Sequence, residues 1–335
     1  MKNKGLSIWY KLQIIVLIVF MFCISTVTIF DIYFDKSIKI YIGYQSVTSQ
    51  TWSALIIKNK KIFEKKLQEL YPNKKFNVIW SDEISGAVIN TAMISGKCHF
   101  GFMGDMPILL NLNKARNMDK FDSRLLSFCG KGVNGKNQSI LIPSDSEITS
   151  AKDLKGKTIS VPIGSSAHFM LLNILEKYNL TEGVNIIHQD IALSSHMLNS
   201  NKVDAFSIWA PYPNFLESKG IGKTLVSGEE TGVDYQAGVV VDNTWANKNL
   251  EIVKCFIESI QEANIYIKSY REESIKIFVK ESGFSKDVVL KEIDNIEWIS
   301  DINEQDIITL QNKLVFLQDL GQISSRFEIK DFLWI

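Results

Sequence analysis

Cysteine, proline and net charge are all scarce in this chain. Its 335 residues hold four cysteines, Cys23, Cys98, Cys129 and Cys255. One lies in an apolar leader and three remain, which excludes a disulfide framework. Six prolines and nineteen glycines exclude collagen-like and low-complexity chains. Lys+Arg and Asp+Glu both number 37. Without a basic excess there is no footprint for phosphates, so no nucleic-acid partner is expected. HExxH, CxxC and Gly-x-Ser-x-Gly patterns are missing, as are repeats with periods of roughly 20–50 residues. Cys98 and His99 are neighbours that would point to opposite faces of a strand. His188 and His196 have no cysteine pair nearby, so neither a metal nor a cofactor is expected. What remains is ordinary globular composition, 46% hydrophobic and 22% charged, with length for about two domains of roughly 150 residues each.

The N-terminus is the exception. Leu12–Phe30 is a run of nineteen residues without a charge, preceded by Lys2, Lys4 and Lys11 and closed by Asp31. Such a run can cross a bilayer as a helix, which needs about 20 residues. The lysines would hold its start in the cytoplasm and send the body outside. We expect residues 1–35 to be a cytoplasmic stub and an uncleaved signal-anchor helix. A cleaved secretory peptide, with an apolar region of about 7–15 residues, and a lipoprotein signal at Cys23, preceded by Phe22 rather than a small residue, are the alternatives. All three place the body outside the cytoplasmic membrane.

Beyond Asp31 short apolar strands alternate with helical stretches, the pattern of an α/β fold. Strands are expected at Ile38–Gln45, Phe76–Ser81, His99–Met103, Leu125–Cys129 and Ser139–Ile142. A second series follows at Thr158–Ile163, Asn185–His188 and Ala205–Trp209, with a return strand at Gln236–Val241. Helices are expected at Ser49–Tyr71, Gly86–Ser95, from Pro107, at Ser166–Tyr178 and Ser194–Asn199, and through most of Thr244–Gln322. Two such series, followed by one strand and a helical tail, suggest two lobes with a crossover, residues 36–136 with 233–335 and residues 137–232. Small-molecule sites favour the cleft between such domains.

Thr158–His168 carries the most chemistry. An apolar strand runs into Gly164, two serines and a helix, leaving Ser165 or Ser166 as N-cap and the first-turn N–H groups pointing beyond the strand end. Ligands of open α/β sheets bind there, and helix starts favour anions. Serines also cap helices where no ligand binds. Two more strand-to-helix turns strengthen the ligand reading. Gly101–Pro107 offers Asp105, either the natural N-cap or a carboxylate facing a ligand. Gly43–Ser49 supplies Gln45, Ser46 and further neutral donors.

Gly104-Asp105-Met106-Pro107, Asp153-Leu154-Lys155-Gly156-Lys157, Gly164-Ser165-Ser166-Ala167-His168, and Val203-Asp204-Ala205 leading to Trp209-Ala210-Pro211-Tyr212 resemble the extracytoplasmic solute-binding proteins of ABC importers for aliphatic sulfonates, taurine and nitrate. The resemblance covers most of the chain after about residue 38. It implies a two-lobed periplasmic-binding-protein fold of the type with two crossovers, monomeric and closing around a small anionic solute by a hinge. It also implies an ABC permease with a cytoplasmic ATPase as partner. Ligand contacts carry over to Gln45, Gly104, Asp105, Ser165, Ser166, His168 and Trp209, with Ser46 from the first turn added. Relatives usually have an acidic residue after the tryptophan, where Ala210 stands, and a small hydroxyl residue where Met106 stands.

A micromolar solute needs about −8 kcal/mol. Hydrogen bonds to a charged group contribute roughly 1.5–3 kcal/mol each. Four or five of them, with an apolar tail buried against Trp52, Phe102 or Trp209, would suffice without a fixed cation. Two other readings stand beside transport. One is an enzyme like the pyrimidine-precursor synthases of thiamine biosynthesis, whose cysteine cluster this chain lacks. The other is a ligand-sensing module. Gly130–Asn137 nearly matches a phosphate loop, but it has Asn137 in place of a hydroxyl and runs into a strand, so it is read as a solvated loop. The basic face at Lys58, Lys61 and Lys65 is expected to meet solvent. Trp298 and Trp334 are expected in the helical core.

Overall fold

The computed structural model describes residues 37–324 and 326–334. The apolar stretch Leu12–Phe30 and Cys23 therefore lie outside the described residues. Among the described residues no helix is long and apolar enough to cross a membrane.

Among the described residues ten strands form two five-stranded sheets. The first contains β1 (Ile38–Tyr44), β2 (Phe76–Asp82), β3 (Phe100–Gly104), β4 (Ser123–Gly132) and β10 (Tyr235–Asp242), in the order β2-β1-β3-β10-β4. The second contains β5 (Gln138–Pro143), β6 (Thr158–Val161), β7 (Asn185–His188), β8 (Ala205–Trp209) and β9 (Gly222–Ser227), in the order β7-β6-β8-β5-β9. β1 lies parallel to β2 and β3, and β6 lies parallel to β7 and β8. β10 and β5, the strands that follow the two passages between sheets, are antiparallel to both of their neighbours. This is the expected two-sheet, two-crossover α/β architecture of periplasmic-binding-protein type.

The all-buried sequence of β3, Phe-Gly-Phe-Met-Gly, reflects cover on both faces. On one face Phe100 stacks on Phe256 at 4.1 Å between ring centres, and Phe63 meets Phe256 edge-on at 4.8 Å. Trp52 and Phe102 are fully buried in this same core, so neither is available to a ligand tail. Trp298 joins it by stacking on Phe278, while Trp334 packs against its rim. The second sheet has its own core around Ile140, Ile159, Leu171 and Phe206.

Several local expectations are corrected. The helix expected over Ser49–Tyr71 is a single helical turn at Ser49–Thr51 and two helices, Ser53–Lys60 and Ile62–Leu70, broken where Lys61 turns left-handed at φ 52°. Of the basic face, Lys61 and Lys65 are exposed as expected, while Lys58 pairs with Glu281 at 2.9 Å; on neighbouring positions Lys60 pairs with Glu273 and Lys66 with Glu262 at 3.1 Å. Asp105 is not an N-cap; Gly104 is. The edge strand β9 and the short helix Tyr212–Ser218, which tolerates Pro213 near its start, were absent from the sequence reading. The Gly130–Asn137 loop continues β4 as far as Gly132 and then makes one turn into β5, without the following helix a phosphate loop needs.

Candidate functional site

The parallel strands of both sheets point their C-terminal ends at one another. Gln45 follows β1, Ser85 follows β2, Gly104 ends β3, Ser165 follows β6, Asp190 follows β7 and Pro211 follows β8. The last five are the N-caps of the helices Gly86–Ile94, Asp105–Asn117, Ser166–Lys177, Ile191–Asn199 and Tyr212–Ser218. These turns surround a cavity of about 630 Å³ between the two sheets, within the usual size for a small-molecule site. Ser165 Oγ accepts from the His168 amide at 3.3 Å, and Asp190 Oδ1 accepts from Leu193 N at 2.8 Å. The earlier first-turn amides of those helices have no intrahelical acceptor. No Lys or Arg is among the described residues of the wall. Much of that wall is apolar, with Ile84, Pro107, Ile163, Ile191 and Phe215 prominent.

Gln45, Gly104, Ser165, Ser166 and Trp209 line the cavity; Ser46, Asp105 and His168 do not. The Ser46 amide donates to Asp82 at 2.8 Å, and its carbonyl accepts the Trp52 indole N–H, also at 2.8 Å. His168 is a buried imidazole rather than a surface one. Its Nδ1 accepts from Gly164 N at 3.4 Å. Burial, with His188 nearby, lowers its pKa to about 4, so near neutral pH it carries no charge for an anion.

Asp105 departs most from expectation. It is 1% exposed and its oxygens are filled by the protein. Oδ2 takes the Lys313 ammonium at 2.5 Å and Gln236 N at 3.2 Å; Oδ1 takes Met106 N at 2.7 Å and the Ser166 hydroxyl. Lys313 is equally buried and also donates to the Asp234 carbonyl at 2.5 Å. A buried carboxylate needs such a partner. The carboxylate expected to face a ligand instead joins the sheets from beneath.

Trp209 presents its ring to the cavity, but its N–H is committed elsewhere. Nε1 donates to Thr48 Oγ1 at 3.0 Å, Thr48 Oγ1 donates to Gln45 Oε1 at 3.2 Å, and Gln45 Nε2 donates to the Phe102 carbonyl at 3.1 Å. One N–H of Gln45 remains for a guest. Further links join the two sides. Phe169 meets Phe316 edge-on at 4.6 Å, Asn214 donates to Glu292 at 2.6 Å, and Ser49 N donates to the Ala210 carbonyl at 3.2 Å.

Sequence reasoning missed much of the wall, including His188, Tyr212, Phe215 and Tyr235. It also missed the helix entries at Ser85 and Asp190. The capping pattern at Asp190 was readable, since Asp before Ile191-Ala192-Leu193 is a helix start signal. Nothing local marks Tyr235, the first residue of β10. Gly86 is explained by proximity, because a Cβ there would lie 2.6 Å from Pro107 Cβ. Two helix starts meet at that point.

The chain resembles known proteins over most of its length. It is 27% identical over 295 residues, 88% of this chain and 85% of the other, to a Bacillus subtilis (strain 168) protein whose name assigns it to aliphatic sulfonates. The fold matches the alkanesulfonate-binding protein SsuA from Xanthomonas axonopodis pv. citri bound to MOPS, with TM-score 0.74, 24% identity and coverage of 88% of this chain and 98% of that one. It also matches the desulfurization enzyme DszB, with TM-score 0.66, 15% identity and coverage of 88% and 96%. The architecture alone therefore does not separate binding from catalysis. Residues 89–274 match the family model described as NMT1/THI5 like, and the chain belongs to that family.

Proposed function

We propose that this protein is the extracytoplasmic solute-binding component of an ABC importer and captures a small organic anion, a sulfonate, in the cavity between its lobes. The lobes are residues 36–136 with 233–335 and residues 137–232. One observation carries the reading: five helix starts border one cavity, and no Lys or Arg among the described residues lines it. The starts at Gly86, Ser166 and Ile191 contribute partial positive charge and first-turn amides without an intrahelical acceptor, whereas at Asp105 the Met106 amide is held by the Asp105 carboxylate. Such a wall holds an anion by dipoles, with Gln45, Gly104, Ser165, Ser166 and Trp209 supplying contacts. Its apolar surface favours an organic sulfonate over nitrate, which would leave most of the cavity unfilled. The match to a sulfonate-named relative over most of both chains supports the same choice.

In this reading Leu12–Phe30 tethers the body to the outer face of the cytoplasmic membrane, and a permease with its ATPase receives the solute. Thermal unfolding of the purified protein with alkanesulfonates, taurine and nitrate tests it. A solute at 100 times its dissociation constant adds about 2.7 kcal/mol, a rise of several degrees. A sulfonate is expected to raise the midpoint and nitrate to leave it unchanged. No shift with any sulfonate would overturn the assignment.

A further inference from the structure

The cavity is graded from a buried floor to an apolar mouth. Gln45, Ser166, Trp209 and Tyr235 form the floor, each 5% exposed or less. Ile84 and Ile163 line the same space in the loops after β2 and β6, yet they are 66% and 44% exposed. Large apolar side chains left open to water around a cavity mark a surface that a ligand covers. His188 and Asp190 share the mouth, and each is engaged. His188 Nδ1 accepts from Ile163 N at 3.0 Å, and Asp190 Oδ1 accepts from Leu193 N at 2.8 Å. Asp190 is exposed, and a carboxylate in water attracts an ammonium group only weakly.

Four lining side chains are aromatic: Trp209, Tyr212, Phe215 and Tyr235. The protein holds them in place. The Trp209 indole N–H is bound to Thr48 at 3.0 Å. Tyr212 and Phe215 meet edge-on at 6.4 Å, and Phe284 closes on them edge-on at 5.7 and 5.4 Å. At about 630 Å³ the cavity suits a drug-sized guest. The tail of ethanesulfonate or taurine would leave most of it to water held against isoleucine, proline and rings, and apolar surface that stays wet adds nothing to affinity. A rigid ring system fills such a space better than a flexible chain. It loses less freedom on binding, and its faces and edges pair with fixed rings for roughly a twofold to tenfold gain beyond area burial.

We propose that the solute is an aryl sulfonate, whose acid group lies at the helix starts and whose ring system lies among Trp209, Tyr212 and Phe215 beneath Ile84 and Ile163. This rests on the sulfonate reading of the same cavity. Calorimetric titration of the full chain with naphthalene-2-sulfonate, hexane-1-sulfonate, ethanesulfonate and taurine tests it. Naphthalene-2-sulfonate is expected to bind at least tenfold more tightly than ethanesulfonate or taurine and at least fivefold more tightly than hexane-1-sulfonate. The second comparison is the sharper, because a hexyl tail is at least as hydrophobic as naphthalene and would win if burial of apolar area alone decided. Hexane-1-sulfonate, ethanesulfonate or taurine binding as tightly as the aryl compound overturns the proposal and leaves the sulfonate reading intact. Failure of all four to bind removes both. In Phe215→Leu, which keeps an apolar side chain and removes the ring, the preference for aryl over hexyl should shrink to twofold or less with hexane-1-sulfonate affinity kept. An equal loss for both probes would mean that Phe215 is only structural and would also overturn the proposal. The comparison on the unmodified protein decides the matter even if the variant does not fold.

Discussion

Trp209 and Thr48 meet across the cavity, the indole N–H of one donating to the hydroxyl of the other at 3.0 Å. The two residues are 161 apart in sequence; Trp209 ends β8 of the second sheet and Thr48 lies in the turn after β1 of the first. A ring that could have given its proton to a guest gives it to the other lobe. Trp209→Phe keeps the apolar wall and removes this link, worth about 1 kcal/mol. Small-angle scattering of the solute-free variant should show a larger radius of gyration than the parent protein, with weaker sulfonate binding. Unchanged scattering would mean that the bond does not hold the lobes together.

Gly104 lies on the cavity wall, close to Tyr235 and Ser166. In Gly104→Ala the new methyl comes within 3.0 Å of Tyr235 Oη and 3.2 Å of Ser166 Oγ, so both must move by a few tenths of an ångström. Overpacking of this kind costs about 1–3 kcal/mol. Sulfonate affinity should fall about tenfold, with the urea midpoint lowered. Parental affinity in calorimetry would show that the floor is not where the solute sits.

Lys313→Met tests the buried pair. Removing the ammonium leaves Asp105 without its counter-charge beneath the cavity, and breaking such pairs costs about 3–5 kcal/mol. Chemical denaturation should show a loss of that order. The Asp105→Asn, Lys313→Met double variant should recover part of it, because the uncompensated charge is gone. A single variant as stable as the parent would contradict the pairing.

His168 makes stability depend on pH. Its folded pKa of about 4 lies below the ordinary 6.5, so between those values the folded chain binds fewer protons than the unfolded chain. Stability is full above pH 6.5 and falls as the pH drops toward 4, by on the order of 2 kcal/mol. His99 shifts the same way through burial. Glu292, raised by burial, works in the opposite sense, gaining its proton earlier in the folded state. Urea midpoints at pH 7 and pH 5 should differ less in His168→Gln than in the parent protein. An equal difference would show that His168 does not titrate as its burial requires.

The strand-and-turn plan was legible because it is local. Gly164 followed by Ser165 and Ser166 announces a strand end and a helix start. Ser165 then caps the helix through its hydroxyl, one of the two positions its neighbours allowed. What could not be read depends on distance along the chain. Asp105 sits in a turn indistinguishable from a ligand-facing one until Lys313, 208 residues later, fills its oxygen. Trp52 and Phe102 look like candidates for a ligand wall because periodicity cannot tell one buried face from another. β9 escaped because it is an edge strand, with exposed Lys223 and Thr224 in its middle and little of the apolar pattern that marks β3.

The central claim is that helix-start amides, unaided by Lys or Arg, hold the acid group of the solute. A crystal structure of the complex with butane-1-sulfonate tests it most directly. The account predicts sulfonate oxygens within about 2.7–3.2 Å of first-turn amides bordering the cavity, such as those of Ser166 and Ala167, with no cationic side chain in contact. A sulfonate held by a lysine or arginine, or bound outside the interlobe cavity, would contradict it.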